Sequence, residues 1–444
     1  MSQADPPTTR PFYKVTLALN CILAASGTLF HIARNPPEFV SDKNQFITMI
    51  AESSWTSFLS GLSQILELTE EEEVIQMVLK AYENIIYVLG TFNLDVPRNA
   101  FLNSLCKFAT QFGFMNRNSQ QQQQGQQGQE QNHESLFKTI ESIKILLGIA
   151  HCMGNSLASG WSIILPHLEK IDACLRRLGK DSEDSDVEIA SIALESLFES
   201  TIQNNDKSLN EMLKCLVSLS GKRLSESDTF ALKGNKTTCY FLNKVVETAR
   251  YNVTRINKIW KSYSAQMRVA LAHASPVINS YGVNSFTDVV LASLVPELSF
   301  LETSKERCPV CKEPLASKRE ELIGMQVHFL SLLDEMISNA RTTDTRVMLY
   351  EAVNKIVQSA GGMLTDAWGN VLEILFKAVR IGDKQATLTA FQTVKLIDSD
   401  YLQKLSAEDN EYISKFITVV SSYVLQQDHT NMSLSSSNFH FIYF

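Results

Sequence analysis

Turn formers are scarce in this chain: 444 residues hold only 18 glycines and 11 prolines. Strand signals are nearly absent as well. No alternating Val/Ile/Thr run is bounded by Asn-Gly or Asp-Gly. Both scarcities argue against many short strands and for long helices. No block of Lys/Arg stands out, the net charge is −8, and the pI is near 5.6. That balance excludes a nucleic-acid binder. No G-x-S-x-G, Walker A, G-x-G-x-x-G or H-E-x-x-H sequence occurs. The nucleophile elbow, the phosphate loops and the zincin helix therefore have no counterpart, and the chain reads as a non-enzyme without a cofactor.

A disulfide framework is also missing. Of the eight cysteines, Cys21, Cys106, Cys152, Cys174, Cys215 and Cys239 sit singly in apolar helical stretches, where a thiol behaves as a small hydrophobe. A reducing compartment is expected, so the sequons at Asn235 and Asn252 are expected to stay unused. The opening MSQADPPTTR has an acid and prolines where a signal peptide would show basic and then apolar residues. The stretch from Val15 to Ala33 is apolar but carries Asn20, Ser26, Thr28 and His31. It reads as a buried helix rather than a membrane span, which needs roughly 20 predominantly apolar residues.

What the chain does have is helical periodicity. Trp55, Trp161 and Trp368 each lead apolar residues three, four and seven positions on: Phe58, Leu59 and Leu62; Ile164, Leu165 and Leu168; Val371, Leu372 and Leu375. Trp260 leads Tyr263, Ser264 and Met267, with Ser264 the misfit. Such a stripe is one face of an amphipathic helix. The spacing predicts helices over 12–33, 43–67, 70–91, 97–114, 134–152, 160–178, 186–204, 207–220, 239–250, 252–274, 285–301, 319–340, 344–360, 366–381, 384–397 and 409–426. Before both Trp161 and Trp368 a helix ends in a glycine-containing turn, His151 to Gly160 and Ser359 to Ala367. Glycine suits a helix C-terminus, and Thr365 or Asp366 is expected to cap the helix that follows. The expected fold is all-α, an α-solenoid of HEAT/armadillo-like helical hairpins. A solenoid core grows along one axis, so 444 residues need not split as a single globular core would.

The expected organisation is a disordered N-terminus over 1–11, helical-repeat segments over 12–118, 134–301 and 319–426, and an irregular tail over 427–444. Between them lie a disordered Gln-rich loop over 119–133 and a proline-containing loop over 302–318. The run from Gly179 to Asp186 reads as an acidic linker. The apolar ending Asn438 to Phe444 lacks the polar cap of a solenoid, and the start is equally bare. The chain is therefore expected to be a fragment or alternative product of a longer protein.

Local chemistry is thin. Cys308-Pro-Val-Cys311 is the sharpest metal motif, yet one CxxC pair cannot close a tetrahedral zinc site. His328 follows with no partner at ligand spacing. An intermolecular zinc site stays open; the plain expectation is a loop with no metal. His151 beside Cys152 resembles a nucleophile pair, but adjacent helical residues do not face each other, so a packed turn is expected. Glu70 to Glu73 suit the first turn of a helix through its dipole. A basic partner is the competing reading. The tryptophans are expected to pack between repeats rather than stack on a ligand.

Several phrases resemble one family. Pro97-Arg98-Asn-Ala-Phe-Leu-Asn-Ser-Leu-Cys-Lys-Phe108 is similar to a helix of the Mon-two family, the large Golgi and endosome trafficking scaffolds related to Arf exchange factors. So are Ile145 to Trp161 and Ala390 to Leu402. Asn252 to Trp260 resembles a segment shared with the BIG-type exchange factors, and Met49 to Leu66 is a weaker match. The phrases run in family order across nearly the whole chain. The resemblance implies an α-solenoid from the central part of a longer protein, without the Sec-seven domain or its F-x-LPGE loop. It implies endosome-to-Golgi transport, a cytoplasmic location peripheral on trans-Golgi and endosome membranes, and Dopey and Arf-like small GTPases as partners. The ending SSSNFHFIYF departs from the family continuation after NMSL. Two other readings compete: the regulatory region of a BIG-type Arf exchange factor, and a cargo-binding solenoid of importin or adaptor type.

Overall fold

In a computed structural model the described residues are 13–35, 43–111, 126–181, 185–226, 240–295, 315–408 and 410–425. Among them no strand occurs, and the fold is an all-α solenoid of helical hairpins. The chain divides into two compact units, Met1–Cys215 and Leu216–Phe444.

In the first unit the helices are α1 (Tyr13–Arg34), α2 (Lys43–Leu68), α3 (Glu72–Thr91), α4 (Asp95–Thr110), α5 (Gln126–Cys152), α6 (Trp161–Asp181) and α7 (Ser185–Ser196). They form two layers. Helices α1, α3, α5 and α7 pack side by side, and α2, α4 and α6 form the second layer against them. Each hairpin buries its apolar stripe against the next, as a repeat must when it cannot cover that stripe alone. Ile75, Val78, Tyr82 and Ile86 of α3 are buried, as are Phe101, Leu102 and Leu105 of α4. Helix α8 (Asp206–Glu226) carries the chain from the first unit into the second.

The second unit holds α9 (Tyr240–Tyr251), α10 (Ile256–Ala272), α11 (Pro276–Leu294), α12 (Leu315–Gly324), α13 (Gln326–Asn339), α14 (Thr343–Ala360), α15 (Trp368–Ile381), α16 (Lys384–Leu396), α17 (Leu402–Glu408) and α18 (Asn410–Val424). Again there are two layers: α10, α13, α15 and α18 in one, α11, α14 and α16 in the other. Ion pairs join neighbours on the first layer. Arg268 of α10 grips both carboxylate oxygens of Glu335 on α13, with Nη2 2.8 Å from Oε2. Lys377 of α15 pairs with Asp334 of α13.

Most expected helices are present, and the departures have local causes. Helix α11 starts at Pro276 and not at 285, because proline is pre-set for the first helical position with Ser275 before it. The expected helix 319–340 breaks at Met325, just after Gly324. Helix α12 begins at Leu315 and α5 at Gln126, both inside stretches expected as loops; leucine and glutamine are good helix formers. Ile397–Tyr401 forms a π-turn, followed by α17, which periodicity alone does not signal. Helix α15 is not capped by Thr365 or Asp366: its N-cap position is Ala367, with no side-chain cap. Helix α1 corrects a further expectation. Only 17% of the Thr16–Arg34 window is buried, so it is an outer helix and not a core one.

Candidate functional site: polar clasps and exposed faces

The phrases that looked distinctive in the sequence converge on the corners of the hairpins. Arg98, near the start of α4, is fully buried. Its guanidinium donates to the Ser156 carbonyl at 3.1 Å and to Ser159 Oγ at 3.0 Å, and pairs with Asp95 at 2.7 Å. Asn99 Nδ2 donates to the same Ser159 Oγ at 3.0 Å. A planar fork with several donors suits a carbonyl-rich corner. Two sequence segments about sixty residues apart thus close on each other. Gly160 fits tightly there: a Cβ would lie 2.8 Å from Leu102 Cδ1, which would have to shift. Trp161 is buried, and its indole N–H donates to the Gly154 carbonyl at 3.3 Å.

The corner before Trp368 is built on the same plan from different residues. Gln326 Nε2 donates to the Met363 carbonyl at 2.8 Å, and its Oε1 accepts from Thr365 N–H at 3.1 Å. Lys404, beyond the π-turn, donates to the carbonyls of Gly362 at 2.7 Å and Leu364 at 2.8 Å. Tyr401 lies over Gly361, where a Cβ would sit 2.5 Å from the ring. Ala390 to Leu402, read as a family helix, is in fact helix, π-turn and the start of α17, and it delivers Tyr401 to this corner. At the third corner Arg255 Nη2 donates to Asn252 Oδ1 at 2.8 Å, within the segment resembling the exchange factors.

The four tryptophans part company here. Trp161 and Trp368 are buried. Trp260 is half-buried and meets Phe329 edge-on at 5.1 Å. Trp55, also half-buried, lines a small apolar pocket with Leu29, Phe58 and Ile85 between α1, α2 and α3.

The candidate chemical residues do not assemble. His151 Nε2 meets the Ala193 carbonyl at 2.8 Å, while Cys152 beside it is exposed. Among the described residues no group of three His, Cys, Asp or Glu is placed to hold a metal. Cys308 and Cys311 lie outside the described residues. Burial pushes the Cys106 thiol up to about 12, and the Tyr82 phenol likewise to about 12 against a smaller lowering by its bond to Ser104. A thiol so held is not a nucleophile at neutral pH. What the geometry offers is surface. Exposed apolar side chains sit on α1 (Tyr13, Leu17), on α2 (Phe46, Met49) and on α7 (Ile189, Ile192).

The corner before Trp368 falls largely inside a family match. A family described as Mon2/Sec7/BIG1-like, HDS, matches residues 316–396, which run from α12 to the end of α16. The Mon2 homolog of Xenopus laevis is 24% identical over 98% of this chain and 29% of its own length. The Mon2 homolog of Homo sapiens is 24% identical over 87% of the chain and 24% of its own length. Brefeldin A-inhibited guanine nucleotide-exchange protein 1 of Mus musculus is 23% identical over 77% of the chain and 19% of its length. The chain thus spans about a quarter of the length of these relatives. It is similar to Mon2 homologues over most of its own length and, more weakly, to BIG-type Arf guanine-nucleotide exchange factors.

Proposed function

We propose that this chain is a non-enzymatic helical-repeat scaffold in endosome-to-Golgi vesicle trafficking, and that it is part of a larger Mon2-like protein. One observation carries the reading: the likeness to Mon2 homologues runs over 98% of the chain, and its distinctive residues are structural clasps, not reacting groups. A solenoid of this kind binds along its ridges and layers. Mon2-type lineage supports protein partners, with Arf-like small GTPases and Dopey as the ones to try, and peripheral attachment to trans-Golgi and endosome membranes.

A second reading, the regulatory region of a BIG-type exchange factor, is favoured by the 77% coverage of the chain by the brefeldin A-inhibited protein. A nucleotide-release assay on Arf-family GTPases loaded with fluorescent GDP addresses the enzymatic question: no acceleration is expected, and acceleration by the purified chain overturns the non-enzymatic reading. Affinity capture with the full chain addresses the partners. Recovery of Golgi and endosome proteins is expected. Recovery of transport cargo without them would hand the chain to the importin or adaptor class.

A further inference from the structure

Helix α1 departs from the rest of the first unit. Thr16–Arg34 is long and apolar enough to cross a bilayer, with a mean hydropathy of 1.5. Yet it is docked. Leu19, Ser26 and Leu29 are buried, and Phe30 meets Tyr87 of α3 edge-on at 4.9 Å. The opposite face is open. Tyr13, Leu17, Cys21, Ala24, Thr28 and His31 are all exposed and recur every three or four residues, so they share one stripe. Tyr13 is 54% and Leu17 50% exposed, and at the start of α2 Phe46 and Met49 are 46% and 60% exposed.

Charge separates the possible occupants of that stripe. The chain as a whole is acidic, at −8. Helix α1 holds no Asp or Glu; its basic residues are Lys14, His31 and Arg34. The stripe is apolar over its first half, Tyr13 to Ala24 with Asn20 at its border, and polar at Thr28 and His31. An apolar half-stripe with basic residues at both helix ends and an aromatic ring near one end is the pattern of a helix lying in the headgroup region of an anionic bilayer. A span would require α1 to leave α3 and to expose Leu29, Val88 and the residues packed on them. A surface-lying helix keeps that contact. We infer that α1 is a lipid-docking helix, its Tyr13–Leu17–Cys21–Ala24 stripe set into an anionic membrane surface while its opposite face stays on α3. The inference names the membrane contact of the scaffold proposed above and rests on that reading for its cellular setting.

The test is flotation of the full chain with vesicles of phosphatidylcholine alone or mixed with phosphatidylserine. Binding is expected only to the anionic vesicles and is expected to weaken with salt. Leu17→Glu is expected to lower it about tenfold or more, the worth of one buried leucine. Ile192→Glu, at a comparably exposed position on α7, is expected to leave it unchanged, and circular dichroism of each variant checks folding. No flotation by the folded chain, or equal flotation by Leu17→Glu, overturns the inference. So does binding that resists both salt and alkaline carbonate, which marks a span. A dimer in sedimentation that Leu17→Glu dissolves assigns the stripe to a second copy and also overturns it. Localisation separates the two proposals. A chain that misses vesicles but concentrates on Golgi membranes fails here and keeps the scaffold reading. Vesicle binding without that localisation does the reverse.

Discussion

Arg98 shows how much one residue can hold. Its side chain is wholly buried and serves Ser156, Ser159, Asn99 and Asp95 at once. Replacing it with Met leaves the Ser156 carbonyl without that donor. A loss on the order of 3 kcal/mol in urea unfolding is expected, the range for orphaning buried polar groups. Arg98→Lys is expected to recover only part of it, since an ammonium cannot reproduce the fork. Gly361 makes a matching case of sterics. Its missing Cβ is where the Tyr401 ring sits, so Gly361→Ala is expected to cost about 2 kcal/mol by overpacking. Adding Tyr401→Ala should make the pair less than additive, because the clash is then gone. Strict additivity in a double-mutant cycle would show that the ring is not what excludes the methyl. Arg98 was visible in the sequence inside a family-like phrase, and Gly361 as part of a glycine-containing turn. Their role was not, since each acts on a partner about forty or sixty residues away.

At the scale of elements, caps and stripes were the readable part, and α16 shows both success and limit. Asp383 accepts from Ala386 N–H at 3.3 Å and pairs with Arg346 at 3.3 Å. Burial alone would push its carboxyl up. The bonds from Thr343, Ala386 and Arg346, together with the Arg346 charge, outweigh burial and hold it below the usual carboxylate range. A carboxyl depressed on folding contributes stability that is present above the unfolded pKa, about 4, and lost as pH falls through the folded value. Asp383→Ala is expected to cost about 1 kcal/mol at neutral pH, the usual worth of an N-cap. Asp383→Asn keeps the cap oxygen and should cost less, while flattening the acid limb of the stability–pH curve. An unchanged acid limb would show that Asp383 is not its source. The helix at 384 was legible from its spacing, as was the Trp368 helix. The absence of a cap at 365–366 was not, because Gln326 takes Thr365 N–H from a different hairpin.

The whole molecule adds a property that no single element carries. Buried phenols occur in both units: Tyr82 in the first, Tyr263, Tyr350 and Tyr423 in the second. Burial raises all four, Tyr82 to about 12. The unfolded chain ionises its tyrosines near 10. The folded state is thus the one that keeps these protons, so its stability is full below about pH 10 and falls as pH rises through the folded values. Alkaline unfolding is expected to release tyrosinate absorbance together with the loss of helical circular dichroism. Tyr82→Phe is expected to delay it. Tyrosinate appearing fully before any helix is lost would show these phenols reachable in the native fold.

The sequence by itself determined the all-α class, the hairpin repeat, most helix positions and the family likeness. Those depend on local periodicity, on turn residues and on short phrases, which neighbours along the chain carry. The tertiary structure decided which stripes are covered. Trp161 and Trp55 lead the same helical phrase, yet one is buried and the other lines an open pocket. The stretch from Val15 to Ala33 reads as core by hydropathy but lies mostly open, because α1 packs on α3 through one face. Burial is a property of what lies across from a residue, and the helix that covers an apolar stripe is set by stacking, not by the stripe.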